Sequence, residues 1–414
     1  MLTTIMVIFS LYIVLKIYIS IMQIGFVSKA KKMSPVLMPA ADFLKAGNYV
    51  ISKERLSIVS SAIEYVLFVF WFGFGLEWLW SIDPQSTTTG HTIMLVWAFL
   101  AVGYLVSLPF DIYTTFKVDK KFGFTKTTPA LFIKDNLISA IITLIVSAAI
   151  IAIIDMIINA SEMWWLYTFV FLMVVVILLN ILFPIIRAAF FDKLSPIPEG
   201  ELKDRLTKLF EENGFNSSGL FVSDASKRDS RLNAYFAGLG AKKRVVLYDT
   251  LVEKLSIEEL EAVLGHELGH YTNKDIIKNI AMTGMMLFVT LFAFGNLPES
   301  LFFEMHIQAT SGILMMMFLL LSSPLFFLLM PLMGKVSRIN EFAADEMGSQ
   351  LGGRENLVSA LKKLVTENKS FPKSHPIYLF FYATHPPVLE RFEAMGVALD
   401  GSDTVALEGE CPIA

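Results

Sequence analysis

The sequence predicts an all-α polytopic membrane protein: seven transmembrane helices, with a mostly helical cytoplasmic domain that contains a small β-hairpin. Three observations carry this. Of 414 residues, 55% are hydrophobic and only 17% are charged, and the mean hydropathy is +0.59, a balance found in multi-pass membrane chains and rarely in water-soluble globules. Apolar runs that reach the roughly 20 residues needed to cross a bilayer recur seven times. The loops between them alternate between Lys/Arg-rich and free of Lys/Arg. A net charge of −4 excludes a nucleic-acid partner and leaves the lipid bilayer as the first expected one. A single cysteine excludes an intrachain disulfide and a cysteine-built metal cage.

The runs come in this order. The first covers residues 2–26 and is interrupted by Lys16, which either snorkels to the interface or faces a watery interior. No basic n-region or small-residue cleavage site precedes it, so no removable signal peptide is expected. A polar loop with Lys29, Lys45, Lys53 and Arg55 follows. The second run, 58–80, contains Glu64 and ends on Trp78 and Trp80, an interfacial belt. The third is 92–108, and a basic loop follows. The fourth, 137–158, holds Asp155 near its end, and the fifth, 164–186, begins at Trp164-Trp165. Residues 187–278 are charged and broken by Gly and Asn turns. The sixth and seventh runs are 280–297 and 313–333. This divides the chain into a membrane domain over residues 1–190, a cytoplasmic segment over 191–278, the last two spans within 279–336 and a cytoplasmic end over 337–414. Basic loops follow every odd span and no even one, so the positive-inside rule places the amino terminus outside and the carboxyl terminus in the cytoplasm.

The chemistry sits just before the sixth run. Ser256 reads as an N-cap, acidic residues fill the first turn, and the helix it opens contains Gly265-His266-Glu267-Leu268-Gly269-His270. Residues four apart share a helix face, so His266 and His270 can bind one ion together, and Glu267 beside them can take a proton from a water. Zn²⁺ is the ion such a set suits, because it lowers the pKa of a bound water to about 7. The competing reading is two histidines meeting by chance on a surface helix, which is hard to sustain with six histidines in the chain.

A catalytic zinc takes three protein ligands and leaves one position open. The last two spans form an antiparallel hairpin, so the segment Ser337-Arg338-Ile339-Asn340-Glu341-Phe342-Ala343-Ala344-Asp345 returns to the membrane face of the histidines. Glu341 is the candidate third ligand. Asp345, one turn on, suits the free N–H of a zinc histidine, and Arg338 suits one of these carboxylates. By spacing alone, an ordinary solvated helix with charge pairs explains these residues equally well.

Through these motifs the chain resembles the integral-membrane zinc CAAX prenyl proteases of the type I, seven-span kind. The resemblance runs through Leu108-Pro109-Phe110-Asp111-Ile112-Tyr113, Lys121-Phe122-Gly123-Phe124, Asn233-Ala234-Tyr235, Leu247-Tyr248-Asp249-Thr250, the two zinc segments, Thr384-His385-Pro386-Pro387 and Glu390-Arg391. It implies one Zn²⁺ per chain on His266, His270 and Glu341, Glu267 as general base, and His385 as oxyanion stabiliser. It implies that Asn233, Ala234 and Tyr235 lie along a peptide substrate as an edge strand, paired with residues 242–248 across a Gly-rich turn. Read from the residues alone, Asn233 is a turn asparagine and His385-Pro386-Pro387 a helix-stopping loop. Arg391 would bind the substrate end or buttress His385. The resemblance also implies a chamber inside the helix barrel, which would account for Lys16, Glu64 and Asp155 within the spans, since such charges face water or each other.

The expected activity is a zinc metalloendopeptidase acting on CAAX-type prenylated or other membrane-associated peptides. A membrane-protein quality-control peptidase, a zinc-binding transporter and an inactive scaffold are the alternatives. His91, His306 and His375 are given no role. No ER-retention signal ends the chain, which favours a bacterial inner membrane over the ER. The only cysteine opens Cys411-Pro412-Ile413-Ala414, which fits the C-a-a-X lipidation pattern and is read as an accidental match.

Overall fold

The computed structural model describes residues 1–84, 88–215, 219–237 and 244–397. Cys411-Pro412-Ile413-Ala414 and the Gly-rich turn before residue 244 lie outside the described residues. Seven helices are long and apolar enough to cross a membrane: Leu2–Ala30, Ala40–Ser81, Thr89–Phe122, Pro129–Ala160, Trp164–Phe190, Asp275–Gly295 and Ser311–Gly352. Successive helices pack on one another, and the seventh returns against the first, third and fourth.

The seven expected runs fall on these seven helices, but most helices overrun them. Lys45, Lys53 and Arg55, expected in a loop, lie on the second helix. Composition marks where a helix lies in lipid, not where its hydrogen-bond ladder ends. The actual ends follow local chemistry. Thr128 caps Pro129–Ala160 with its side chain and is followed by Pro at the first helical position. Gly123 ends the third span at φ +82°, the left-handed conformation that suits glycine. The seventh helix runs unbroken through Pro324 and Pro331 to Gly352, so it carries Glu341 and Asp345 on the same rod that crosses the membrane.

Two charges in the spans pair with each other. Lys16 Nζ lies 2.6 Å from Glu64 Oε2, and the Tyr12 hydroxyl donates to Glu64 Oε1 at 2.9 Å. Asp155, expected to face water or another charge, meets neither. It is buried, and takes hydroxyl donors from Thr89 at 2.7 Å, from Thr92 at 3.0 Å and from Ser311. Those hydroxyls, drawn from the third and seventh spans, replace the water that an intramembrane carboxylate otherwise needs.

The expected hairpin belongs to a four-stranded sheet in the order β1-β2-β4-β3, built from β1 (Leu194–Pro196), β2 (Leu220–Ser223), β3 (Ala234–Ala237) and β4 (Arg244–Tyr248). β3 and β4 pair antiparallel, with Ala234 opposite Leu247. β2 runs parallel to β4, and β1 closes the other edge. Among the described residues β3 has a partner on one side alone and is the open edge.

The helix Ile257–Thr272 lies between this sheet and the seventh helix. A capping box starts it: the Ser256 hydroxyl accepts from Glu259 N at 3.2 Å, and Glu259 Oε2 accepts from Ser256 N at 2.8 Å. Leu260, Leu264 and Leu268 are spaced by four and at most 1% exposed, in the core that also holds Val245, Leu247 and Leu251. Each contributes about 1.5–3 kcal/mol by burial. The opposite face is nearly bare: Gly265 and Gly269 meet Ala344, Gly348 and Leu351 of the seventh helix.

Candidate metal centre

Those glycines set the reach of the site. A Cβ added to Gly269 would stand 2.7 Å from Ala344 Cα, and one on Gly348 would stand 2.9 Å from the Ala262 carbonyl oxygen. The two helices therefore cross backbone against backbone. At that separation a glutamate on one helix reaches the imidazoles on the other.

His266 Nε2 and His270 Nε2 are 3.2 Å apart. His270 Nε2 is 3.3 Å from Glu341 Oε1, and His266 Nε2 is 3.7 Å from Glu341 Oε2. A tetrahedral ion with bonds of about 2.0–2.2 Å holds its ligand atoms about 3.3–3.6 Å apart, so the cradle has the size of one. Among the described residues Glu341 Oε2 is buried without a hydrogen bond, with Arg391 the nearest cation at 3.4 Å, so it keeps a free lone pair that a bound ion would take. Two neutral nitrogens and one carboxylate, with no thiolate, suit a divalent ion such as zinc.

Around the three stands a supporting layer. His266 Nδ1 lies 2.9 Å from Asp345 Oδ1, at an angle poor for a hydrogen bond. Arg391 grips Asp345 with two nitrogens, at 2.7 and 2.5 Å, and its third lies 3.4 Å from Glu341 Oε2. Arg391 is buried, and its guanidinium orients these carboxylates. Arg338 does not orient a carboxylate, the role its spacing suggests. It donates to the carbonyls of Leu379, at 3.3 Å, and Ala383, at 2.6 Å, and so pins the segment that leads to His385. Spacing points to Arg338 alone; packing gives the carboxylates to Arg391.

Replacing Arg391 with alanine would leave Asp345 and Glu341 buried without their cation. The expected loss of stability in metal-free protein is about 3–5 kcal/mol, the usual result of breaking a buried pair from one side. A melting curve of the Arg391→Ala variant checks this. A change under about 1 kcal/mol would mean that water reaches the pair.

One positioning residue escaped the sequence reading. Asp275 Oδ2 lies 2.9 Å from His270 Nδ1 and fixes which nitrogen faces the cradle. Lys278 holds Asp275 at 2.8 Å and Asn340 at 3.0 Å. Asp275 starts the sixth span directly after Lys274, whose φ of +57° makes the sharp corner between the two helices. The available signal was an aspartate five residues after the second histidine, at a helix start.

In the metal-free site, burial pulls the His270 pKa down, but hydrogen bonds to Glu341 and Asp275 and the nearby Glu267 charge overcome it and raise it to about 9. A metal must displace that proton. Metal affinity should therefore climb with pH by about tenfold per unit up to about pH 9. Metal titration between about pH 6 and 8 reads this; a flat profile would show His270 already neutral.

Glu267 is partly buried beside the histidines. Burial raises its pKa above the ordinary carboxylate range; His266 and His270 pull it back and Glu341 raises it further. A carboxyl tuned upward in this way is suited to accept and return a proton near neutral pH.

His385 Nδ1 lies 2.8 Å from Glu341 Oε1 while its ring stays 65% exposed, so it borders the cradle and faces outward. Asn233, His385 and Arg391 line one cavity of about 460 Å³. Asn233 is exposed at the start of β3, where its side chain accepts from Ala234 N at 2.9 Å. Ala234 and Tyr235 follow on the open edge. Tyr235 packs near Tyr248 and under Arg187. His375 has a structural use: its ring nitrogen accepts from Ile377 N at 3.2 Å and caps Pro376–Tyr382.

Seven membrane helices with a buried His-His-Glu cradle define an integral-membrane metallopeptidase. Two family models match, CAAX prenyl protease N-terminal, five membrane helices, over residues 23–193, and Peptidase family M48, over residues 196–397. The CAAX prenyl protease 1 homolog of Mus musculus is 31% identical, covering 87% of this chain and 87% of the relative. CAAX prenyl protease 1 of Saccharomyces cerevisiae is 30% identical over 88% of each. The crystal structure of S. mikatae Ste24p superposes with a TM-score of 0.85 at 27% identity, covering 95% of this chain and 98% of that one. The chain belongs to the CAAX prenyl protease 1 family of M48 metallopeptidases.

Proposed function

We propose that this metalloendopeptidase cleaves prenylated CAAX-type peptides at a zinc ion held by His266, His270 and Glu341. The observation that carries the metal is the cradle, whose ligand atoms all lie within 4.8 Å of one another. The substrate class comes from the relatives, which are named for it. Bound there, zinc supplies Lewis acidity to a peptide carbonyl or a water. Glu267 accepts the water's proton and returns it to the leaving amine. Asn233, Ala234 and Tyr235 hold the peptide as an added strand on the open edge of β3. His385 donates to the oxygen that gains charge. Asp345 and Asp275 hold the two imidazoles in register, Arg391 holds Asp345, and Arg338 holds the approach to His385.

We place the site on the cytoplasmic face. Basic loops on the side of the site support this. The division at residue 190 is supported by the two family models, which meet between residues 193 and 196.

The test is digestion of a farnesylated CAAX peptide and its unprenylated twin by the detergent-solubilised full chain. Cleavage should stop with a chelator and return with added zinc. Chelator-resistant cleavage would overturn the metal; equal rates on both peptides would overturn the lipid requirement and favour a general membrane peptidase.

A further inference from the structure

Away from the metal, a cavity of about 750 Å³ opens between the second and third spans. Three cations line it, Arg55 from one span and Lys117 and Lys121 from the other, together with the apolar Leu56, Val59 and Phe110. Among the described residues no carboxylate lines it, and none of the three cations has an ion-pair partner; Lys121 has only the neighbouring Phe122 ring, at 5.7 Å. Three arginines on this side of the molecule are paired, Arg187 with Asp192, Arg228 with Asp135 and Arg231 with Asp229; what sets Arg55, Lys117 and Lys121 apart is that they converge on one apolar-walled space. Three exposed positive charges around one apolar-walled space form a surface complementary to an anion that also carries an apolar part.

Depth identifies the anion. The apolar runs of these two spans begin at residue 58 and end at residue 108. Arg55 therefore lies just outside the hydrocarbon, at headgroup level, and Val59 and Phe110 lie at its edge; Lys117 and Lys121, nine and thirteen residues past the end of the other run, line the same cavity from its aqueous side. Val59 is 51% exposed, so the apolar wall opens sideways to lipid. The two spans touch lightly here, far less than the first and second do.

We propose that this cavity binds one anionic phospholipid from the leaflet on the metal-site side, its phosphate among Arg55, Lys117 and Lys121 and an acyl chain along Leu56, Val59 and Phe110. Basic pockets between spans recognise anionic headgroups in this manner. The site is independent of the peptidase chemistry.

The test uses the full chain in nanodiscs of phosphatidylcholine with a minor share of phosphatidylglycerol, and native mass spectrometry of the lipid retained on release. Wild type should keep one phosphatidylglycerol in preference to phosphatidylcholine. Each neutralised cation should lower that preference about fivefold and the R55Q/K117Q/K121Q variant about a hundredfold. Val59→Trp, which fills the apolar wall and leaves the charges, should also lose the lipid. Lys120→Gln, on an exposed lysine outside the lining, should keep it. Peptide cleavage by each variant confirms the fold. Equal retention by wild type and the triple variant would overturn the proposal. So would release of the lipid by millimolar inorganic phosphate, which would assign the site to a soluble anion.

Discussion

The Glu267→Gln variant should bind metal as wild type does and cleave peptide about 10³–10⁴-fold more slowly, the upper range for loss of a positioned general base. The metal is spared because the cradle is built from His266, His270 and Glu341, and Glu267 is not among its members. Glutamine keeps the volume and polarity of the side chain but cannot take a proton. The stability sign is also fixed. Burial raises the folded-state pKa of Glu267, so the folded chain favours the protonated form, and stability falls as pH rises from the unfolded pKa towards the folded one. A permanently neutral amide escapes that loss. Metal-free Glu267→Gln should therefore melt no lower than wild type at neutral pH. Metal content, turnover and melting temperature on the same preparation decide it. Full turnover with bound metal would remove Glu267 from the mechanism, and loss of metal would make it a ligand.

Much of this centre is legible in the sequence. His266 and His270 stand out because helical spacing alone puts them on one face. Glu341 needs one further inference, that two spans in series return the chain to the same side. The charged partners are harder. Arg338 is next to the ligand segment in sequence and Arg391 is about 50 residues past Glu341, yet packing has Arg338 hold the carbonyls of Leu379 and Ala383 and Arg391 hold Asp345. Asp155 misleads for a related reason: a carboxylate in an apolar run reads the same whether water or three hydroxyl side chains satisfy it. β1 and β2 escape because runs of three and four residues carry too little periodicity to separate strand from coil.

The least conspicuous residues in the motif have the largest structural effect. Gly265 and Gly269 repeat at a spacing of four, and so do Ala344, Gly348 and Gly352 on the helix they meet. This is the small-residue pattern of close helix crossings, and in the sequence it is spacing without an assigned use. Gly269→Ala tests what it does. The added methyl would sit 2.7 Å from Ala344 Cα, with the Ala344 carbonyl oxygen 3.3 Å away. Those are backbone atoms, and no side-chain rotation relieves them. The helices must part by about 1 Å to reach ordinary contact near 3.5–4.0 Å. Ala344 lies one residue before Asp345 and one turn beyond Glu341, so the displacement passes directly into the cradle, where metal–ligand distances tolerate only about 0.2 Å. Overpacking should cost about 1–3 kcal/mol in stability, while metal affinity and turnover fall together by about a hundredfold or more. Adding Ala344→Gly should not rescue the variant, because the atom in the way is the Cα that glycine also has. Restoration of metal binding in the Gly269→Ala/Ala344→Gly double variant would show that side chains, not backbones, set the distance between the histidines and Glu341.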